Sequence, residues 1–183
     1  GAAAQETVIL SGPPALSSHA FPEFTFTGPP GASLECRLRP VESTFRECSS
    51  PQRFGEGEYG IPVPDGDYLF EVRAFQGDDR DPSPATWAFT IDRTPPETTI
   101  TGGPGNTTDT TAVFLFSAPG ATGVSCRLDG GAWQPCGSPQ AYSGLSLGGH
   151  TFEVTAVDAA GNTDPTPAHH AWQVLKPGLV IPA

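Results

Sequence analysis

"TFEVTAVDAAGNTDPTPA", residues 151 to 168, nearly repeats "LFEVRAFQGDDRDPSPA", residues 69 to 85. Each copy carries F-E-V-x-A, a polar loop and D-P-[ST]-P-A. An alternating apolar run that ends in Gly, Asp and Pro reads as a strand followed by a turn, so one strand-turn unit occurs twice. The match extends outward in both directions. "FTFTGPPGASLECRL" (24–38) lies over "FLFSAPGATGVSCRL" (114–128) at an offset of ninety, and "ETVILSGP" (6–13) meets "ETTITGGP" (97–104). Repeats of about 85 residues exceed the solenoid range and are long enough for each to own a core. The predicted domains are 1–92 and 93–183, the second with an apolar tail at 177–183.

Composition alone leaves disorder open, because 22 Gly and 21 Pro among 183 residues approach the low-complexity range. The pattern excludes it. Phe114 and Phe116, then Val124, Cys126 and Leu128, then Phe152, Val154 and Ala156, then His170, Trp172 and Val174 alternate with polar neighbours between turn clusters. No sustained helical period occurs, and Pro interrupts the windows where a helix could start. The fold class is all-β. In the second repeat strands are expected near 98–101, 111–117, 124–128, 133–136, 141–145, 150–158 and 169–175, about seven per domain, which suits a two-sheet sandwich. Phe114, Phe116, Phe152, Val154, Ala156 and Trp172 should fill one core. Phe24, Phe26, Phe70, Val72, Ala74, Trp87 and Phe89 should fill the other, each large side chain contributing about 1.5–3 kcal/mol.

The four cysteines fall two per repeat, in "CRLRPVESTFREC" (36–48) and "CRLDGGAWQPC" (126–136). A three-residue loop at 130–132 would set Cys126 opposite Cys136, at a separation a disulfide can bridge. Cys36 and Cys48 would pair in the same way, and each short closed loop should add about 2–3 kcal/mol. A four-thiolate zinc site is the rival, but its ligands would come from separate domains without C-x-x-C spacing. Paired cysteines imply an oxidising, extracellular or cell-surface setting.

"TPPETTITGGP", "CRLDGGAWQPC" and "YSGLSLGGHTFEVTAVDAAGNTDPTPA" resemble the tandem bacterial Ig-like, or fibronectin III-like, repeats of secreted and surface proteins, particularly of actinobacterial type. The resemblance covers nearly the whole chain. It implies sandwich modules acting as stalks, spacers or adhesive units, with no shared active site and no catalytic residues.

The polar loop invites a second reading as a calcium site. Asp158, Asn162 and Asp164 in one repeat, and Asp78, Asp79 and Asp81 in the other, supply hard oxygen ligands. The two sets do not align well and the EF-hand pattern is missing, so a solvated turn is the favoured reading and no cofactor is expected. "LSLGGHTF" (145–152) and "VPDGDYLF" (63–70) share a pattern that resembles the corner of Ig-like sandwiches where a tyrosine ties back to the backbone. His150 therefore reads as a corner residue. His169 and His170 are adjacent on a strand and face opposite ways, so they do not chelate one ion. G-x-S-x-G, phosphate-loop and H-E-x-x-H motifs are missing. A formal charge of −11 opposes binding to nucleic acid or anionic lipid. No apolar run is long enough to insert in a membrane.

"GAAAQ" at 1–5 reads as a stub left after signal-peptide or other processing. At the other end Leu179, Val180 and Ile181 are apolar and β-prone, and such a segment can add a strand to a neighbour's sheet edge. A head-to-tail contact of that kind would propagate into a filament. The expected function is thus non-enzymatic: an extracellular structural protein, partnered by copies of itself or by neighbouring Ig-like domains. The alternative is a spacer, or a module binding a protein or glycan, within a larger adhesin or secreted enzyme.

Overall fold

The computed structural model describes residues 6–55 and 61–178. The chain divides into two compact units, Gly1–Thr94 and Pro95–Ala183. Every element among the described residues is a strand.

Unit 2 shows the plan most simply. Its strands are β10 (Thr99–Gly102), β11 (Ala112–Ser117), β12 (Ala121–Leu128), β13 (Gln134–Pro135), β14 (Gln140–Tyr142), β15 (Gly148–Asp158) and β16 (Ala168–Val174). A three-stranded sheet, β10-β11-β14, packs on a four-stranded sheet, β13-β12-β15-β16. Alternation causes this arrangement. Along β11 Ala112, Phe114 and Phe116 are buried while Val113, Leu115 and Ser117 are exposed, and along β15 His150, Phe152, Val154 and Ala156 are buried. Phe114 from one sheet and Phe152 from the other stack at 4.0 Å between ring centroids. That contact closes the core, which Cys126, Leu145, Trp172 and Val174 complete.

Unit 1 repeats the plan with β1 (Val8–Ser11), β2 (Leu16–Ser17), β3 (Glu23–Thr27), β4 (Ser33–Arg39), β5 (Arg46–Glu47), β6 (Gln52–Arg53), β7 (Gly66–Gln76), β8 (Asp79–Arg80) and β9 (Ala85–Ile91). Sheet β1-β3-β6 packs on β2-β9-β7-β4-β5, with β8 folded back on β7. Phe24 stacks on Phe70, again at 4.0 Å. The two additional strands have only two residues each. β2 runs parallel to β9, and unit 2 keeps only a single parallel bridge there, Thr107 with Val174. Phe89 is the counterpart of Trp172, because Phe89 pairs with Tyr68 as Trp172 pairs with His150. Trp87 instead matches His170, opposite Phe70 and Phe152 respectively.

The hairpin register differs from the sequence expectation. The turn is centred on Asp129 and Gly130, both at positive φ, and is closed by the Gly131 N–H donating to Leu128 O at 2.9 Å. One further residue is then taken up on the returning side, so Cys126 faces Gln134 rather than Cys136. Cys136 lies opposite Val124, donating its N–H to that carbonyl. The disulfide Cys126–Cys136 is consequently diagonal, with Cα atoms 5.7 Å apart. Cys36–Cys48 repeats the geometry at 5.9 Å, Cys36 facing Arg46. Among the described residues no cysteine is free.

Candidate functional site

The loop after F-E-V-x-A puts its last carboxylate inside the protein. Asp164 is 3% exposed. Its Oδ2 accepts from the Thr98 N–H (3.1 Å) and hydroxyl (2.5 Å), and its Oδ1 accepts from the Thr166 N–H (2.8 Å) and hydroxyl (3.3 Å). Burial pushes this carboxyl up, but the Thr98 and Thr166 donors together hold it below the ordinary aspartate value. Asp81 repeats the arrangement with Thr7 at 3.3 Å and with the Ser83 N–H and hydroxyl at 2.9 and 3.0 Å. Thr7 in turn accepts from the Ala74 N–H, and Thr98 accepts from the Ala168 N–H. The Asp of D-P-[ST]-P-A is thus a clamp that bolts the entry to the first strand onto the long central strand and the start of the last one.

The other oxygen donors considered for calcium do not converge with the clamps. Asp158 binds Asn162 twice, through the backbone N–H and the side-chain amide, both at 2.9 Å, which closes the turn. The Asn162 amide holds the Asp158 carboxyl below its ordinary value. Asp78 and Asp79 are exposed, Asp78 in the turn before β8 and Asp79 as its first residue. Among the described residues no group of three or more His, Cys, Asp or Glu is placed to hold a metal ion. Leu179, Val180 and Ile181 lie outside the described residues.

The corner residues act alike through different chemistry. The Tyr68 hydroxyl donates to Pro64 O at 2.8 Å. The His150 ring places Nε2 2.9 Å from Ser146 O, also four residues back, and Nδ1 2.7 Å from Asp129 Oδ2. Open grooves lie beside both corners, one of about 430 Å³ lined by Arg39, Pro40, Asp67, Tyr68 and Leu69, the other of about 340 Å³ whose lining includes Asn106, His150, Trp172 and Gln173. His170 Nε2 meets Pro104 O at 2.7 Å, where unit 1 uses the Trp87 indole N–H on Pro13 O at 2.9 Å. His169 is exposed on the opposite face.

The sequence reading missed the outer face of the disulfide sheet. In unit 1 cross-strand pairs Arg37–Glu71 and Arg73–Glu35 form ion pairs, each at 2.6 Å. Arg39 and Arg80 join them at 3.8 and 3.5 Å. Phe45, from the longer hairpin, lies between Arg37 and Arg73, with centroid distances of 4.3 and 4.0 Å. Phe45 so caps the two arginines like a lid, and Glu35 and Glu71, their partners, are each only 8% exposed. Unit 2 keeps one rung, Arg127–Glu153 at 2.7 Å, under Trp133 at 4.5 Å. Ser125 and Thr155 stand where unit 1 has Glu35 and Arg73. The legible signal was the spacing: C-R-L and F-E-V, once paired in antiparallel register, set Arg against Glu in both repeats.

The solved structures similar to this chain include fibronectin(III)-like modules of CbhA from Clostridium thermocellum, at 15% identity and a TM-score of 0.46, covering 97% of this chain and 98% of that one. A two-domain fibronectin type III segment of chicken tenascin matches at 12% identity and a TM-score of 0.37, covering 92% and 98%. The FN1–FN3 domains of chicken CNTN1 match at 14% identity and a TM-score of 0.45, covering 91% and 66%. No protein-family model and no curated protein matches the chain.

Proposed function

We propose that this chain is a non-catalytic structural segment of an extracellular or cell-surface assembly. The observation that carries the reading is the disulfide placed identically on the hairpin of each unit, a bond that persists where the surroundings are oxidising. The disposition of the polar side chains supports it. The buried carboxylates Glu35, Glu71, Asp81 and Asp164, and the buried His150, all spend their hydrogen bonds on neighbours within their own unit. Within this reading, copies associate end to end through Leu179, Val180 and Ile181. A spacer or ligand-binding module of a larger protein is the alternative.

Alkylation and thiol counting on protein taken from its native source tests the setting. The expected result is no free thiol before reduction, and four reactive cysteines in freshly extracted protein would overturn it. Negative-stain electron microscopy with light scattering, on the full chain and on a form lacking 177–183, tests assembly. Fibres that vanish with the truncation support association through the tail, and a monomer indifferent to it makes the chain a spacer.

A further inference from the structure

We propose that His150 makes unit 2 a pH-responsive module: its protonated ring latches the corner before β15 to the tip of the disulfide hairpin, and its neutral ring releases one of the two. The argument starts from what surrounds the ring. Ser146 O lies 2.9 Å from Nε2 and the Asp129 carboxylate 2.7 Å from Nδ1. Both groups can only accept. A neutral imidazole has one N–H, so it must set a lone pair against one of them, whereas an imidazolium donates to both. The His150 side chain is 6% exposed and that of Asp129 44%, so the neutral ring gives up a contact whose carboxylate side water can reach while the ring itself stays covered.

The latch adds to bonds that already tie the hairpin turn to β15, among them the Asp129 N–H donating to Thr151 O at 2.8 Å. Asp129 sits in the turn between β12 and β13, and its Oδ1 also accepts from the Thr151 N–H at 2.8 Å. From β16 the ring meets Trp172, uncharged, at 5.3 Å between centroids. The titratable groups of that strand face elsewhere: His170 is turned to Pro104 O, and His169 is paired across from Glu153. Asp129 is therefore the charged group facing the ring. The Ser146 carbonyl foremost, and Asp129 with it, hold the His150 proton above the usual histidine range, against the opposing effect of burial.

The sign follows from linkage. A histidine whose folded-state pKa is raised contributes stability that is fully present below its unfolded value of about 6.5 and is lost as pH rises through the folded value. The matching corner of unit 1 has no such group, because burial, with Asp65 nearby, pushes the Tyr68 hydroxyl above its ordinary value near 10. Two modules built on one plan thus respond differently to alkalinity.

The test uses the full chain. The four histidine rings are titrated by NMR between about pH 5 and 9. Urea unfolding is followed at the same pH values through the Leu69 and Thr151 amides, one reporter per unit. The expected His150 midpoint lies above about 6.5, and the unfolding constant of unit 2 rises tenfold for each unit of that excess. Unit 1 stays flat across the window. His150→Tyr, which installs the residue of unit 1, abolishes the slope, and Asp129→Asn lowers the midpoint of an otherwise intact ring. A wild-type midpoint at or below about 6.5, or a slope that survives His150→Tyr, overturns the proposal. Should His150→Tyr not fold, an Asp129→Asn midpoint equal to that of wild type overturns it.

Discussion

At the same corner, unit 1 sets Tyr68 against Phe89 and unit 2 sets His150 against Trp172. On the adjacent strand, Trp87 and His170 exchange in the same spirit, each donating a ring N–H to a proline carbonyl of the segment after the first strand. The backbone fixes the requirement in both places, a planar ring that buries its face and satisfies one carbonyl. Which ring does so is free, and that freedom changes what the unit can sense. The central stack is not exchanged at all: Phe24 on Phe70 and Phe114 on Phe152 share a centroid distance of 4.0 Å.

That division between fixed and exchangeable positions can be broken experimentally, beginning with the stack. Phe70→Ala and Phe152→Ala remove fully buried rings and should each cost their unit about 3–5 kcal/mol in urea unfolding. Equal costs are expected, and a clear inequality would break the equivalence of the two cores. The clamps come next. Asp164→Ala strips the acceptor from four donated bonds and Asp81→Ala from three, so each should cost about 1–3 kcal/mol, the former more. The Asp164 carboxyl is held low in the folded state, so its contribution is present above the unfolded value of about 3.9 and fades as pH falls through the folded one. Acid unfolding of unit 2 should therefore become less steep in Asp164→Ala. The smallest effect sharpens the outer faces. Glu153→Gln is expected to cost about 0.2–1 kcal/mol. Glu71→Gln should cost more, since Glu71 serves Arg37 and Arg39 under the Phe45 lid, and equal values in denaturant titrations would show the lid to be idle.

Alternation carried most of the fold. The long strands of unit 2 lie where apolar residues alternate between turns, its two-residue β13 followed from the hairpin between the cysteines instead, and the long strands of unit 1 follow by homology of phrase. β2 and β8 were illegible because two-residue pairings leave no period to read. The diagonal disulfide was misjudged for a local reason, the Asp129-Gly130 turn with one residue taken up after it. Asp81 and Asp164 were noticed as oxygen donors, yet their partners lay 74 and 66 residues away, in the Thr of "ETVI" and "ETTI". Their recurrence in both repeats was the clue, since a clamp needs both halves. His150 was recognised as a corner residue, but its second acceptor comes from another hairpin and no spacing announces it.

Each disulfide staples a hairpin within one sheet, so that neither bond cross-links the two sheets of its unit. Drawn out by its ends, an unfolding unit would pay out slack from every segment except the ring the bond encloses. With sequence separations of 12 and 10, an extended chain spanning about 3.3–3.6 Å per residue, and 5.9 and 5.7 Å still bridged by the bond itself, the ring withholds roughly 35 Å in unit 1 and roughly 30 Å in unit 2. Reduction would return that length, so the redox state of the surroundings sets how far a stretched chain can extend.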